Sequence, residues 1–311
     1  MMLNILSKRY LFFTLSILLI LPGLILITIN GLPLSIDFIG GSIVEVELAK
    51  ELSPSSDEII NIYNQLEVTD SQVQTSDTSN STIYVIRSSS LEQEKYNQLI
   101  NTLRDQFDPN LVERRYDTVG PSISQSVTNR AAIAVGIASL AVIIYVTFAF
   151  RGIPHAFRYG VCVIIAMLHD ILIVISLGAV GAKLFGWQMD SLYLTALLTV
   201  IGFSTQDKIV VFDRIRENTP IFRYIPFEKL VNHSIIQSLQ RSINTQLMTV
   251  EYLLLSLALF GGVTLREMSI ILLVGLLSGT YSSIFIAAPI LVVWENKEWQ
   301  HWFRTGKATQ A

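Results

Sequence analysis

The sequence predicts a membrane-embedded all-α bundle of six transmembrane helices carrying an external α+β domain, and three observations predict it. Of its 311 residues 51% are hydrophobic and only 15% charged, with a mean hydropathy of +0.49, too apolar for an ordinary soluble enzyme. Apolar runs recur at 10–29, 130–150, 157–182, 192–212, 243–260 and 269–294, each about the length that crosses a ~30 Å hydrocarbon core at ~1.5 Å per residue. Between the first two lies a polar stretch, 31–129, with the alternation and helical spacing of a folded domain. The chain therefore divides into 1–30 (a short inner segment and the first span), 31–129, 130–294 (spans two to six) and a tail, 295–311.

In the first span, Lys8 and Arg9 precede the apolar run and no small-residue cleavage site follows it, which predicts an uncleaved anchor with its N-terminus in the cytoplasm. The 31–129 domain reads βαββαβ, a ferredoxin-like order. Residues 42–48 alternate as a half-buried strand does. Residues 53–66 open on Ser and Asp capping residues and then repeat apolar positions at helical spacing. Strands follow at 71–75 and 82–87, a second amphipathic helix at 91–107 and a last strand at 111–118. Val119-Gly120-Pro121 then breaks the chain, and Pro121 suits the first turn of the next helix. A helix through Leu239 leads into the fifth span. Arg151 and Arg158, the cluster between Arg214 and Arg241, and the tail's Lys297, Arg304 and Lys307 fall on one side. The opposite turns carry only Lys183 and Arg266, so the positive-inside rule places both termini in the cytoplasm and 31–129 outside. Trp187, Trp294, Trp299 and Trp302 sit near the ends of these runs, where membrane interfaces favour amphipathic rings.

The fourth span places Asp207 inside its own apolar run, at a cost of roughly 2.5–3.5 kcal/mol on insertion scales, so such a residue faces a bundle interior, a polar cavity or a partner charge. Ser204, Thr205 and Gln206 can hydrogen-bond its carboxyl, and Gly202 can admit a neighbouring helix closely. Asp207 either pairs with the adjacent Lys208 and aids packing, or binds a coupling ion. The other intramembrane ionisable residues are His169 and Asp170 in the third span, Arg241 at the start of the fifth and Glu251 within it. Arg241 is the cation expected to meet Asp207, since a carboxyl that burial disfavours and a guanidinium favours can bind and release a proton as the two part and meet. Alternatively it snorkels to the interface. His169 and Asp170 form either a proton relay or an interhelical pair; being consecutive, they point about 100° apart on a helix. Glu251 is either a second carboxylate on the path or a partner for another helix.

Asp213, Arg214, Arg216, Glu217 and Asn218 taken alone read as a solvated helix end, and Asp37, Phe38, Gly40 and Gly41 as a turn into the first strand whose glycines permit positive φ. The single cysteine, Cys162, lies in an apolar run and is expected to pack there. No metal-ligand spacing, phosphate loop or nucleophile-and-base pairing argues for an enzyme, and no basic footprint argues for nucleic acid. Six spans with one external domain make half of a transporter plan whose two halves pair about an axis along the membrane normal. A partner subunit supplying the other half is expected, a homodimer being the simpler alternative.

At these residues the chain resembles the SecF family, the smaller subunits of SecD–SecF protein-export complexes. IDFIGG around Asp37, Phe38, Gly40 and Gly41 is similar to that family's DFTGG element, VGPSIS around Gly120 and Pro121 to its VGP element, and LHD around His169 and Asp170 to its third-span pair. GFSTQDKIVVFDRIREN, from Asp207 to Asn218, is similar to its fourth-span signature, and QRSINTQLMT followed by FGG extends the match through the fifth. The resemblance implies a non-enzymatic membrane subunit of the resistance-nodulation-division superfamily. It would act without a bound cofactor, with protons as the coupling ion, Asp207 and Arg241 as the coupling residues, and His169, Asp170, Glu251 and Lys208 as a secondary path or helix pairing. It further implies a SecD-like partner, a SecYEG-like channel and a translocating preprotein in the bacterial inner membrane, with no role for nucleic acid. The rival readings are a homodimeric proton-driven exporter of small molecules or lipids, and a purely structural translocase subunit. Where the family usually has Asn before this aspartate and Ser or Thr after it, this chain has Gln206 and Lys208, and Lys208 is placed to hold Asp207 ionised. Ile39 stands in place of Thr, and Glu251 where an apolar residue is usual.

Overall fold

The structure, a computed structural model, describes residues 4–77, 81–151, 156–246, 252–260 and 263–302. The chain forms two compact units, one made of Leu34–Ile133 with Gln188–Ser191, the other of Met1–Pro33, Ala134–Trp187 and Leu192–Ala311.

In the first of these units the predicted order is found: β1 (Gly41–Ala49), β2 (Gln72–Asp77), β3 (Ser81–Ser88) and β4 (Val112–Val119) form one sheet, with helices α3 (Ser56–Gln65) and α4 (Gln93–Gln106) between them. The sheet order is β2-β3-β1-β4, every pairing antiparallel. Period-two alternation sends Val44, Val46 and Leu48 of β1 and Tyr84 and Ile86 of β3 to one face. There they bury against Ile59, Ile62 and Tyr63 of α3 and Leu99, Ile100 and Leu103 of α4. Helix α3 starts on a capping box in which Ser55 and Glu58 satisfy each other's backbone N–H groups. The Ser55 N–H bond holds the exposed Glu58 carboxyl below the usual carboxylate range, so the box is complete at neutral pH and is lost as pH falls through that lowered value. Ser42 is a hub of this core: its hydroxyl donates to Thr118 Oγ1 (2.9 Å) and accepts from the Leu91 N–H (2.7 Å), both without exposure to solvent at Ser42. Ser42→Ala leaves the Leu91 amide buried and unpaired, a loss of about 1–3 kcal/mol. It should appear in the full chain as roughly tenfold or faster hydrogen exchange at Leu91.

The IDFIGG stretch is more than a turn. Residues Ile36–Ile39 form a one-turn helix, α2, capped by Ser35, and Gly40 (φ 80°) and Gly41 (φ 122°) then redirect the chain into β1. A Cβ at Gly41 would lie 2.5 Å from Ser88 O, so only glycine fits. Asp37 Oδ2 accepts hydrogen bonds from the backbone N–H (2.9 Å) and hydroxyl (2.6 Å) of Ser191, and Phe38 O accepts one from Thr128 Oγ1 (3.0 Å). Gly120 precedes Pro121, which is the first residue of helix α5 (Pro121–Ala149) as predicted.

The other unit is helical. Its elements are α1 (Arg9–Asn30), α6 (Ala156–Phe185), α7 (Ser191–Ile221), α8 (Phe227–Gln246), α9 (Tyr252–Phe260), α10 (Val263–Ser282) and α11 (Ala288–Glu295), with most of α5. A π-helical turn, Ser283–Ala287, joins α10 to α11, so that Leu265–Glu295 runs as one helix. Five helices are long and apolar enough to cross a membrane among the described residues: Leu6–Asn30, Pro121–Ala149, Phe157–Phe185, Ser191–Ile221 and Leu265–Glu295. The expected fifth span, 243–260, is not one of them. Helix α8 ends at Gln246, α9 has nine residues, and 247–251, Glu251 included, lie outside the described residues. The packing inverts that of a soluble bundle, with Ile17, Leu18, Ile137, Leu140 and Ile144 exposed while Ser16, Asp170, Ser204, Asp207 and Lys208 are buried. Small residues set the crossings: a Cβ at Gly23 of α1 would lie 2.2 Å from Ser176 Cα of α6.

Candidate functional site

Along one face of α10, Gly275 and Gly279 are one helical turn apart. A Cβ at Gly275 would meet Val200 Cγ2 at 2.3 Å, and one at Gly279 would meet Ser204 Cα at 3.1 Å, so these two glycines bring α10 against α7. Gly202, the glycine expected to do this, is exposed, and an added Cβ there meets nothing within 4 Å. The close approach has a chemical consequence: Ser278 and Ser282 of α10 reach a carboxylate on α6.

That carboxylate is Asp170, 1% exposed, and it is saturated. Its Oδ1 takes hydrogen bonds from Ser278 Oγ (2.8 Å) and His169 Nδ1 (3.0 Å), and its Oδ2 from Ser204 Oγ (2.5 Å), Lys208 Nζ (2.6 Å) and Ser282 Oγ (2.7 Å). An ionised carboxylate offers about four lone-pair positions, so these partners leave no place for a proton. Lys208 is fully buried, and its three N–H bonds are spent on Asp170, the Ser204 carbonyl (3.2 Å) and the Ser204 hydroxyl. The Asp170–Lys208 pair is thus a neutral, fully hydrogen-bonded ion pair, the form in which buried charges persist.

Asp207 faces a different way. Its Oδ1 accepts from Ser242 Oγ of α8 (2.7 Å) and its Oδ2 from Ser283 Oγ of the π-helical turn (2.6 Å), at 6% exposure. Two acceptor positions remain, and no cation pairs with it among the described residues. The adjacent Ser282 and Ser283 therefore connect the two carboxylates, one to each. π-helical turns of this kind recur at functional sites.

The expected Asp207–Arg241 contact is absent from this arrangement. Arg241 is exposed and forms no ion pair among the described residues. The reason is helical phase, since turning Ser242 inward turns its neighbour about 100° away. Lys208 does not hold Asp207 either, for the same reason: the two are consecutive on α7, and Lys208 goes to Asp170. Of the polar residues expected around Asp207, Ser204 serves Asp170, Thr205 bonds its own helix at Ile201 O (2.8 Å) and Gln206 is exposed. His169 and Asp170, expected to diverge, are bonded to each other, and the His169 ring stacks on Tyr281 (centroids 6.1 Å apart). Sequence reasoning missed Ser242, Ser278, Ser282 and Ser283. Serine in apolar helices is too common to mark a site without knowing which residues share a face.

At the far end of α7, Asp213–Arg216 and Arg214–Glu217 are exposed i,i+3 pairs, as a solvated helix end predicts. Asn218 is the exception, buried and donating to Ser234 Oγ (2.8 Å) and Gln237 Oε1 (2.9 Å), which ties α7 to α8. Cys162 is a buried free thiol packed in the helical core.

Comparison with known proteins places this arrangement among relatives. Residues 99–297 match the family described as protein export membrane protein SecD/SecF, C-terminal, and residues 25–51 the SecD/SecF GG motif. The protein translocase subunit SecF of Anaerolinea thermophila is 61% identical over 98% of each chain, and that of Thermobaculum terrenum is 43% identical over 97% of each. The crystal structure of SecDF, a translocon-associated membrane protein from Thermus thermophilus, is similar with a TM-score of 0.81 and 28% identity. It covers 95% of this chain, which spans 39% of that longer one.

Proposed function

The chain belongs to the SecF family of protein translocase subunits, and from that premise we propose that it uses the proton motive force to promote a late step of protein export. It would do so beside a SecD-like partner and a SecYEG-like channel in the bacterial inner membrane, as a coupling subunit and not an enzyme. The observation that carries this reading is the contrast between the two buried carboxylates: Asp170 is saturated and paired with Lys208, whereas Asp207 keeps acceptor positions free and has no cation beside it among the described residues. A proton can be added to Asp207 without displacing a donor. Neutralised, Asp207 holds Ser242 and Ser283 less strongly, since hydrogen bonds to a charged acceptor are about twice as strong as neutral ones. Helix α8 is then free to turn, and a rotation of about 100° exchanges Ser242 for Arg241 beside Asp207, which would expel the proton. A potential of 100 mV supplies about 2.3 kcal/mol per charge moved across it.

In this proposal both termini are cytoplasmic and residues 243–260 make a sixth crossing. The sheet domain, whose β2-β3-β1-β4 order supports a ferredoxin-like reading, lies outside and acts on the emerging preprotein. No cofactor beyond the proton is required. A second reading, a purely structural translocase subunit, draws on the Asp170–Lys208 pair, which fastens α6 to α7 with no need of a titrating group. Membrane vesicles that carry the channel and the SecD-like partner decide between them. We expect release of an exported protein to rise with the proton gradient only when this chain is present, and to fall to the chain-free level with an uncoupler. Equal stimulation with and without the gradient would leave the structural reading standing.

A further inference from the structure

One buried titratable group stands half-used beside the ion pair. His169 is 9% exposed, with Nδ1 3.0 Å from Asp170 Oδ1 and Nε2 buried without a hydrogen-bond partner among the described residues. Asp170 beside the Lys208 ammonium is an acceptor, so the ring proton belongs on Nδ1, and Nε2 keeps its lone pair. A buried ring nitrogen left this way is uncommon, since buried polar atoms are nearly always paired.

We propose that Nε2 of His169 is a second proton-binding site of this chain, acting on the Asp170–Lys208 pair and distinct from Asp207. The groups around the ring are consistent with a single added charge. On its own helix it faces Asp170, and from α7 Lys208 and Ser204 reach it through that carboxylate. From α10, Ser278 and Ser282 meet the same carboxylate and Tyr281 covers the ring, while from α1 the Ser16 hydroxyl donates to the Tyr281 hydroxyl (3.3 Å). The step is a proton transfer alone: a hydronium ion gives up an O–H bond and leaves as water while an N–H bond forms at Nε2, and Nδ1–H stays on Asp170 Oδ1. The cluster of His169, Asp170 and Lys208 then changes from neutral to one net positive charge. Asp170 is shared between two cations, and the hold on Lys208, the residue next to Asp207, weakens. The proton at His169 thereby sets how firmly α7 is fastened to α6 while the proton at Asp207 does the coupling. Imidazole is suited to this because its ordinary titration falls within the physiological pH range.

The test is nitrogen-15 NMR of the histidine-labelled full chain, assembled with its SecD-like partner in bilayers. With only four histidines in the sequence, the His169 signal is assigned by its loss in His169→Gln. We expect the His169 Nε2 resonance to move from the unprotonated to the protonated ring position as the medium is acidified. Asp207→Asn should leave that titration in place, and the pH profile of gradient-driven release should lose one step in His169→Gln. A ring that stays in one protonation state throughout the acidification, or that carries its proton on Nε2 with Nδ1 bare at the high-pH end, would overturn the proposal. Failure of the Asp207 reading looks different: Asp207→Asn would then keep full release while His169 still titrates.

Discussion

Asp170→Asn or Lys208→Met alone should destabilise the assembled protein by about 3–5 kcal/mol, and the two together by far less than the sum of the singles. The asymmetry comes from desolvation. Each single change strands a full charge among apolar helices, with Lys208 wholly buried and Asp170 nearly so, whereas the double change removes both charges and keeps both side-chain volumes. The carbonyl of the amide that replaces the Asp170 carboxylate would still accept from either Ser278 or Ser282, and the methionine that replaces Lys208 would fill the path of the lysine stem. Thermal melting of the detergent-solubilised complex, read as a double-mutant cycle, measures the coupling. A strongly negative cycle, in which the double variant melts near wild type, marks the pair as a fastening of α6 to α7. If the losses simply add, Lys208 and Asp170 act separately, and the neutral-pair description of the site fails.

Much of this was legible from residue pattern. Alternation at 42–48 and 82–87 and capping at Ser55 fixed the sheet domain because strand and helix periodicities differ and that domain is amphipathic. Hydropathy found the long spans for the complementary reason, that a lipid-facing helix needs no amphipathic stripe. It also marked Asp207, Asp170 and His169 as residues whose burial needs a cause, but not Lys208, which is fully buried. What hydropathy did not carry is which of them meet. Asp207 and Lys208 are neighbours in sequence yet serve different helices, because one step along a helix is about 100° of rotation. Arg241 lost its expected place to Ser242 by the same geometry. The serines that do bind the carboxylates became visible only once Gly275 and Gly279 had set how closely α10 approaches α7. That is a property of packing between distant segments and leaves no local mark.

Asp207→Asn should abolish gradient-driven release while leaving assembly with the SecD-like partner intact, and this is the largest functional effect expected of any single substitution. Asparagine is nearly isosteric, and its carbonyl can accept from Ser242 or Ser283 in place of the carboxylate oxygen that does so now. What it cannot do is gain and lose a charge, so the difference between two states of α8 disappears while the packing survives. Asp207→Glu keeps the chemistry but moves the carboxyl by one methylene, and a partial activity is expected of it. Ser283→Ala should weaken stimulation without abolishing it, since one of the two donors remains and a hydrogen bond to a charged group contributes about 1.5–3 kcal/mol. Arg241→Met separates the rotation from the proton site. If α8 turns to bring Arg241 against Asp207, the methionine variant binds the proton but cannot expel it, and release stalls after a single turnover. If Arg241→Met supports continuous release, Arg241 stays outside the cycle, and the serines at 242 and 283 carry the response of the helices by themselves.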